Sequence, residues 1–133
     1  MRIVSFKYTV YRDTMNPIIP LRIQGKDSWK VIWAYVDSGA TFSIFSFSEA
    51  RRLGIEPHQG ERIEMIVGNG ERIYVHLFQV WAKIEDIEFK TTIGFSSQLG
   101  SGFNLLGRRN VFEKFKICFD DQQGVLTFAR NSR

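Results

Sequence analysis

Short segments of alternating polar and apolar residues, separated by turn residues, run through most of this 133-residue chain. Side chains two positions apart lie on the same face of a β-strand, so such alternation is typical of strands with one face in a core. The segments are rich in Val, Ile, Phe, Trp and Tyr, which favour strands. No linker or internal repeat divides the chain. The pattern therefore predicts one all-β domain over residues 1–133.

Turn residues set the bounds of the predicted strands. These strands are residues 3–11, 18–24, 29–36, 42–45, 62–67, 71–81, 87–95, 116–120 and 125–129. The strongly apolar segment 29–36 is expected to be a buried strand. Asn16-Pro17 predicts a turn, residues 25–27 predict a break, and residues 96–102 predict a loop.

Two short helices are expected among the strands. Ser46 and Glu49 have the spacing of a capping box, and Gly54 suits the C-terminal end of a helix, so the first helix is predicted over residues 47–53. Apolar residues between positions 109 and 115 fall on one helical face, which predicts the second helix.

A hairpin is predicted between the strands 62–67 and 71–81. Gly68-Asn69-Gly70 joins them, and Asn-Gly between two alternating segments is a strong signal for a tight hairpin turn. Both Asn69 and Gly70 are expected to take positive φ, which glycine adopts without steric cost.

The net charge of +4 and the pI near 9.4 do not by themselves indicate a nucleic-acid binder. Such proteins concentrate Lys and Arg in a patch or tract, whereas the longest basic runs here are the pairs Arg51-Arg52 and Arg108-Arg109, with acidic residues nearby. An ordinary solvated surface is the favoured interpretation, and weak attraction to acidic partners is the alternative.

Several observations bear on location and cofactors. No segment approaches the ~20 apolar residues that span a bilayer, and no apolar secretory signal is present, so neither membrane insertion nor secretion is expected. The single Cys118 cannot form an internal disulfide, which agrees with a cytosolic location, and its alternating apolar strand predicts burial. His58 and His76 lack neighbours at metal-ligand spacing, so we expect no metal and no cofactor.

The tripeptide Asp37-Ser38-Gly39 follows the apolar strand 29–36 directly. A carboxylate at the end of a core strand has a fixed position and limited solvation. Gly39 lets the backbone turn tightly towards the carboxylate, and Ser38 supplies a small hydroxyl. The tripeptide alone occurs in many ordinary turns, so its context decides the interpretation.

That context resembles the retropepsin-like aspartic peptidases. The stretch Ala34-Tyr35-Val36-Asp37-Ser38-Gly39-Ala40-Thr41 is similar to their active-site loop, and Phe103-Asn104-Leu105-Leu106-Gly107-Arg108 is similar to their apolar-apolar-Gly-Arg segment. The hairpin lies where the family has its flap, and residues 124–128 resemble its closing strand. The resemblance covers about residues 18–128; residues 1–17 form an additional N-terminal strand.

The resemblance implies a closed β-barrel lobe with a flap hairpin, acting as a homodimer on an extended peptide or protein substrate. Asp37 would be the catalytic carboxylate, with Ser38 as a hydroxyl brace across the dimer and Gly39 as backbone donor. The implied substrate-binding residues are Ala40, Thr41, Ile66, Val67, Gly68, Asn69 and Gly70.

The family chemistry needs two carboxylates that share one proton, and this chain has one such loop. The second aspartate is therefore expected from another copy across a two-fold axis. One departure concerns Thr41, which stands where viral retropepsins have an acidic partner for the arginine corresponding to Arg108; that pairing cannot be carried over. The hypothesis is a homodimeric aspartic endopeptidase. The alternative is a catalytically silent module that holds a peptide without cutting it.

Overall fold

The computed structural model describes residues 2–99 and 102–131. Its strands are β1 (Ile3–Lys7), β2 (Thr9–Tyr11), β3 (Thr14–Asn16), β4 (Ile18–Gln24), β5 (Trp29–Val36), β6 (Ser43–Ser46), β7 (Glu61–Ile66), β8 (Arg72–Ile84), β9 (Ile87–Ser96), β10 (Asn104–Leu106), β11 (Phe115–Asp120) and β12 (Val125–Arg130). One α-helix, α1 (Phe47–Leu53), and a 3₁₀-helix (Pro57–Gln59) complete the described elements. The all-β prediction is confirmed. Of the predicted loop 96–102, residues 100 and 101 lie outside the described residues.

Seven strands form the main sheet in the order β4-β5-β10-β6-β9-β8-β7. The sheet curls round because β4 also pairs with β8, through Arg22 opposite Lys83 and Ile23 opposite Ala82. This pairing extends over two residue pairs only. The barrel is therefore not strictly closed, which differs from the closed barrel that was expected. The pairing of β5 with β10 is parallel and places Val36 opposite Leu106.

Alternate residues of the strands fill the barrel core. Ile32, Ala34 and Val36 of β5 are buried, and each fully buried large aliphatic side chain contributes about 1.5–3 kcal/mol. The strand that was expected to be buried is buried on one face only, because Val31 and Trp33 on its outer face are 45% and 53% exposed.

A second sheet, in the order β1-β12-β11, packs against the barrel through aromatic rings. Phe115 and Phe128 are buried with ring centroids 5.8 Å apart, and Phe89 of β9 lies 5.0 Å from Phe115. Edge-to-face contacts of this kind add to the free energy of area burial. Cys118 lies on β11, an edge strand of this sheet, and is exposed, so its predicted burial is wrong.

The N-terminal segment differs from the predicted single strand 3–11. After β1 the chain turns inward at Tyr8, whose N–H donates to the Gly124 carbonyl at 2.7 Å, and β2 then pairs with β3 as a hairpin. The turn lies at Arg12 and Asp13, with φ of 51° and 61°, and not at Asn16-Pro17. Positive φ at both central residues matches the right-handed twist of paired strands.

The first predicted helix is confirmed and the second is wrong. Helix α1 ends at Gly54, which takes φ 74°, but the capping box does not form because the Ser46 side chain makes no cap hydrogen bond. Glu49 instead accepts a hydrogen bond from Asn104 Nδ2 at 2.8 Å. Residues 109–114 form successive turns instead, and Phe115 begins β11. Asn110 has φ 60°, outside the helical region, and its Oδ1 accepts a hydrogen bond from the Thr92 hydroxyl.

Candidate active site

Asp37 stands where β5 leaves the barrel. Its backbone N–H donates to the Leu106 carbonyl at 2.9 Å, which continues the parallel pairing of β5 with β10 by one more bond. Val36 before it is buried, Asp37 is half-buried and Ser38 after it is exposed. The carboxyl group is thus attached to a fixed strand end while it remains open to solvent on one side.

Residues 37–41, called the Asp37 loop below, fold back on the carboxylate. The Gly39 N–H donates to Asp37 Oδ1 at 2.8 Å, and the Ala40 N–H donates to the Asp37 carbonyl at 3.2 Å. A hydrogen bond from a backbone N–H to a carboxylate is charge-assisted and directional. The loop therefore sets the orientation of the Asp37 side chain.

Residues 107–109, called the Gly107 segment below, hold the Asp37 loop in place through backbone hydrogen bonds. Arg108 N–H donates to the Ala40 carbonyl at 2.9 Å, and Arg109 N–H donates to the Thr41 carbonyl at 2.8 Å. These backbone bonds join the two segments that the sequence singled out, although Thr41 offers no carboxylate to Arg108. The Arg109 guanidinium instead lies over the Phe42 ring, 4.6 Å from its centroid.

Gly107 permits this close approach. A Cβ atom at this position would lie 2.5 Å from the Phe42 carbonyl carbon and 2.8 Å from the Ala40 carbonyl oxygen, both backbone atoms. The Gly107 N–H donates to Oγ of Ser43, a fully buried side chain, at 3.0 Å. Gly107 can be found in the sequence by resemblance, whereas Ser43 carries no local signal because its role depends on a contact with a residue 64 positions away.

The remaining predicted residues lie at the end of β7 and in the turn that follows it, together called the hairpin tip below (residues 66–70). Gly70 N–H donates to the Val67 carbonyl at 2.9 Å, and Gly70 has φ 84°. Asn69 does not have positive φ, so that part of the prediction is wrong. The turn is three residues long, with one glycine in the left-handed region. Asn69 Oδ1 accepts from the Glu71 N–H at 2.9 Å, so the Asn69 side chain stabilises the far side of this turn.

The structure connects the hairpin and the Asp37 loop through a small apolar cluster rather than directly. Ile44, Ile73 and Val75 are buried together, and both Phe42 and Val67 pack against them. In the described part of the chain, no hydrogen bond joins residues 37–41 to residues 66–70. The tip is exposed, and no atom lies within 4 Å of a Cβ built at Gly68 or Gly70.

A cleft of about 470 Å³ lies beside Asp37. Its lining comes from the N-terminal segment, the end of β5 and the turn between β11 and β12, and comprises Tyr8, Met15, Asn16, Pro17, Tyr35, Val36, Asp37, Ser38, Phe119 and Asp121. The Tyr8 hydroxyl donates to Asp121 Oδ1 at 2.7 Å. Burial, together with this hydrogen bond, raises the pKa of Tyr8 to about 12.

Sequence analysis missed most of the cleft wall, because its members are scattered over both ends of the chain. A somewhat larger depression of about 510 Å³ lies on the outer face of the barrel, between Arg2, Arg22 and Lys83, away from the Asp37 loop. The Asp37 cleft is the better candidate, since it contains the carboxylate that the fold positions.

No cluster of three or more potential metal ligands occurs among the residues that the structure describes. The fold does bring His58 and His76 together, with ring centroids 5.2 Å apart, although they are distant in sequence. Within residues 2–99 and 102–131, no helix has the length and apolar character needed to cross a bilayer.

Comparisons with known proteins agree with this geometry. A family model described as "Aspartyl protease" matches residues 19–107. The fold is similar to that of a retropepsin-like aspartic protease from Rickettsia conorii, with a TM-score of 0.69 and 21% identity over 96% of this chain and 91% of that one.

Two further solved structures share the fold at lower similarity. EIAV protease complexed with the inhibitor HBY-793 gives a TM-score of 0.54 at 20% identity, covering 75% of this chain and 88% of that one. The retroviral protease-like domain of Ddi1 from Leishmania major gives 0.58 at 16% identity, covering 90% and 91%. Comparison with curated proteins finds no match.

Proposed function

The chain belongs to the aspartyl protease family, and from this premise we propose that it is a homodimeric endopeptidase with Asp37 as its catalytic carboxylate. The observation that carries the proposal is the position of Asp37. Its backbone continues the pairing of β5 with β10, and its Oδ1 accepts the Gly39 N–H at 2.8 Å. A carboxylate fixed in this way can act on a substrate without first being ordered.

The proposed reaction is hydrolysis of a peptide bond by water. Two Asp37 carboxyl groups, one from each copy, share a single proton because two negative charges so close together are unfavourable. The ionised carboxylate takes a proton from water as the water oxygen attacks the scissile carbonyl carbon, and the protonated carboxyl group donates its proton to the carbonyl oxygen. The carboxyl group that took the proton from water then gives it to the amide nitrogen, and the other carboxylate takes back its proton as the C–N bond breaks and the C=O bond re-forms. Ser38, exposed beside Asp37, would brace the loop of the partner copy.

The second carboxylate is proposed to come from another copy because the chain has one Asp-Ser-Gly loop. Asp27-Ser28 continues into Trp29 and lacks the glycine. Asp86 belongs to a surface turn, where Arg2 forms an ion pair with it. Neither can serve as a second catalytic loop within the same chain.

The hairpin tip is proposed to act as the flap. An extended peptide would lie between Ala40 and Thr41 on one side and the tip on the other, adding a strand to the protein surface. Closure of the exposed tip would exclude water from the scissile bond. The proposal includes a cytosolic location, because the single Cys118 cannot form an internal disulfide.

The first experiment compares wild-type protein with Asp37→Asn on a peptide library from acidic to neutral pH. Because asparagine cannot exchange the proton, we expect cleavage to fall by about 10³-fold or more. Asp27→Asn is the matched control, an exposed aspartate in the turn before β5, and should cleave normally. Undiminished cleavage by the Asp37→Asn protein excludes the proposal, and peptide binding without cleavage by wild type indicates a silent binding module.

The second experiment tests the dimer by mixing. Wild-type protein and Asp37→Asn protein are equilibrated at varying ratios and constant total concentration. If each active site needs two intact carboxylates, activity follows the square of the wild-type fraction, and an equal mixture retains about one quarter. A linear dependence on the wild-type fraction would show that single chains carry complete sites.

A further inference from the structure

The wall of the Asp37 cleft comes largely from outside the part of the chain that the family model matches. Tyr8, Met15 and Asn16 precede residue 19, whereas Phe119 and Asp121 follow residue 107. These residues surround the Asp37 loop with side chains that lie outside the matched range. The cleft is therefore where the substrate preference of this protein should be encoded.

The charge of the cleft is opposite to that of the protein. The chain has a net charge of +4, yet the cleft lining contains two carboxylates, Asp37 and Asp121, and no Lys or Arg. In the described part of the chain, no cation forms an ion pair with either carboxylate. Low-dielectric walls around uncompensated charge concentrate the field inside a cleft and attract the opposite charge.

The structure holds Asp121 in a defined orientation. The hydroxyl of Tyr8, a buried side chain, donates to its Oδ1 at 2.7 Å, and the neighbouring backbone is fixed because the Tyr8 N–H donates to the Gly124 carbonyl. A tyrosine phenol is protonated and can donate at neutral pH, and the raised pKa of Tyr8 extends this to more alkaline pH. Asp121 is exposed, so its second oxygen can accept from a ligand.

The neighbouring aspartate differs in its role. Asp120 Oδ1 accepts from the Gln123 N–H at 2.9 Å and so caps the turn between β11 and β12. Asp120 is not part of the cleft lining. The two adjacent aspartates thus separate into one that stabilises a turn and one that faces the cleft.

The rest of the lining suits the stem of a long side chain. Met15 and Phe119 are 52% and 39% exposed, and Tyr35 forms part of the same surface. Lys and Arg bury their methylene stems on apolar surfaces while the charged head reaches a polar partner. Apolar walls that end at a carboxylate match this type of side chain.

We propose that the cleft selects peptides carrying Lys or Arg beside the scissile bond, with Asp121 as the specificity-determining residue and Tyr8 as the residue that positions it. This inference rests on the proposed function, because it names the substrate class of the same site.

The test uses two peptide series that differ only in Lys, Arg, Met or Leu beside the scissile bond, placed on its N-terminal side in one series and on its C-terminal side in the other. Wild-type protein should favour Lys and Arg in at least one series. Asp121→Asn retains an acceptor for Tyr8 but loses the charge, so kcat/KM for Lys and Arg peptides in that series should fall about tenfold. For Met and Leu peptides it should change less than about twofold. Asp120→Asn makes the same charge change one residue away and should leave the ratio of basic to neutral peptides unaltered.

A second variant tests the positioning role. Tyr8→Phe keeps the charge of Asp121 and removes the hydrogen bond that orients it. The ratio of kcat/KM for basic and neutral peptides should fall part of the way towards the Asp121→Asn value. If the role of Tyr8 is purely structural, Tyr8→Phe should lower kcat/KM equally for all peptides and leave this ratio unchanged.

Binding separates this inference from the proposed function. Matched hydroxyethylene peptide analogues with a Lys or a Met side chain, which cannot be cleaved, are titrated into wild-type and Asp121→Asn protein. Tighter binding of the Lys analogue that disappears in the variant supports the inference even if no peptide is cleaved. Cleavage without preference for basic side chains overturns the inference while the proposed function stands. Equal effects of Asp120→Asn and Asp121→Asn on the ratio of basic to neutral peptides have the same consequence. Absence of both binding and cleavage overturns both.

Discussion

The Asp37 loop and the hairpin tip are both shaped by glycine, but for opposite reasons. At Gly107, beneath the Asp37 loop, backbone atoms of Phe42 and Ala40 leave no space for a Cβ. At Gly68 and Gly70, in the hairpin tip, no atom lies within 4 Å of a built Cβ, and Gly70 is constrained only by its φ of 84°. The backbone beneath the Asp37 loop is held by close packing, whereas the glycines of the hairpin tip have open space around them and the tip is held by its own turn and by the packing of Val67.

The difference indicates how the proposed site divides its tasks. A carboxylate that activates water must keep its position, so its loop is joined to β10 and to the Gly107 segment by backbone bonds. A flap must open and close, so few contacts restrain its tip. Substitutions in the two regions should therefore separate stability from activity.

The largest loss of stability is expected for Gly107→Ala. The added methyl group meets backbone atoms, which cannot move away without breaking the bond from Arg108 to Ala40. The free energy of unfolding should fall by about 3 kcal/mol, as measured by urea denaturation. An unfolding midpoint equal to that of wild type would show that the close approach at Gly107 is not maintained in solution.

A smaller loss is expected for Ser43→Ala. This change removes the acceptor of the Gly107 N–H at a fully buried position, so a backbone donor is left unpaired. The expected cost is about 2 kcal/mol, with activity lost in proportion to the unfolded fraction. Ser48→Ala, at an exposed position of α1, is the control and should retain wild-type stability.

Substitution in the hairpin tip should reduce the activity of the protein more than its stability. Gly70→Val places a β-branched residue at φ 84°, which costs about 1 kcal/mol or slightly more. If the tip is the flap, peptide cleavage should fall more than about tenfold while the dimer still forms. Gly70→Asn, which tolerates the left-handed region, should recover most of the activity.

Two measurements on the same Gly70→Val preparation decide the role of the tip. A fall in melting temperature that accounts for the whole loss of cleavage would indicate a structural turn only. Full activity in a stably folded Gly70→Val protein would show that the flap assignment is wrong.

The smallest effect is expected for Gly68→Ala. Gly68 has an ordinary backbone conformation with open space around its Cβ position. The free energy of unfolding should change by less than about 0.5 kcal/mol. The same Gly→Ala change is thus expected to lower the free energy of unfolding most at Gly107 and least at Gly68. Similar losses at both positions would contradict the difference in packing between the Asp37 loop and the hairpin tip.

Much of the fold follows from the sequence because strand and helix signals are local. Strands β4 and β5 and helix α1 begin and end at the predicted residues, since alternation and the glycine stop act within a few positions. The second predicted helix does not form, for a reason that the local apolar pattern does not reveal. Asn110 exchanges the helical conformation for a hydrogen bond to Thr92, which is remote in sequence.

The sequence by itself located the Asp37 loop and the Gly107 segment through their resemblance to the retropepsin-like peptidases, and it located the hairpin between them through its Asn-Gly turn signal. The tertiary structure decided what surrounds Asp37. Tyr8 and Asp121 are 113 residues apart, and the hydrogen bond between them exists only because β1 pairs with β12. Periodicity specifies which face of a strand is buried, whereas the side chains that meet across a cleft depend on pairing between distant segments.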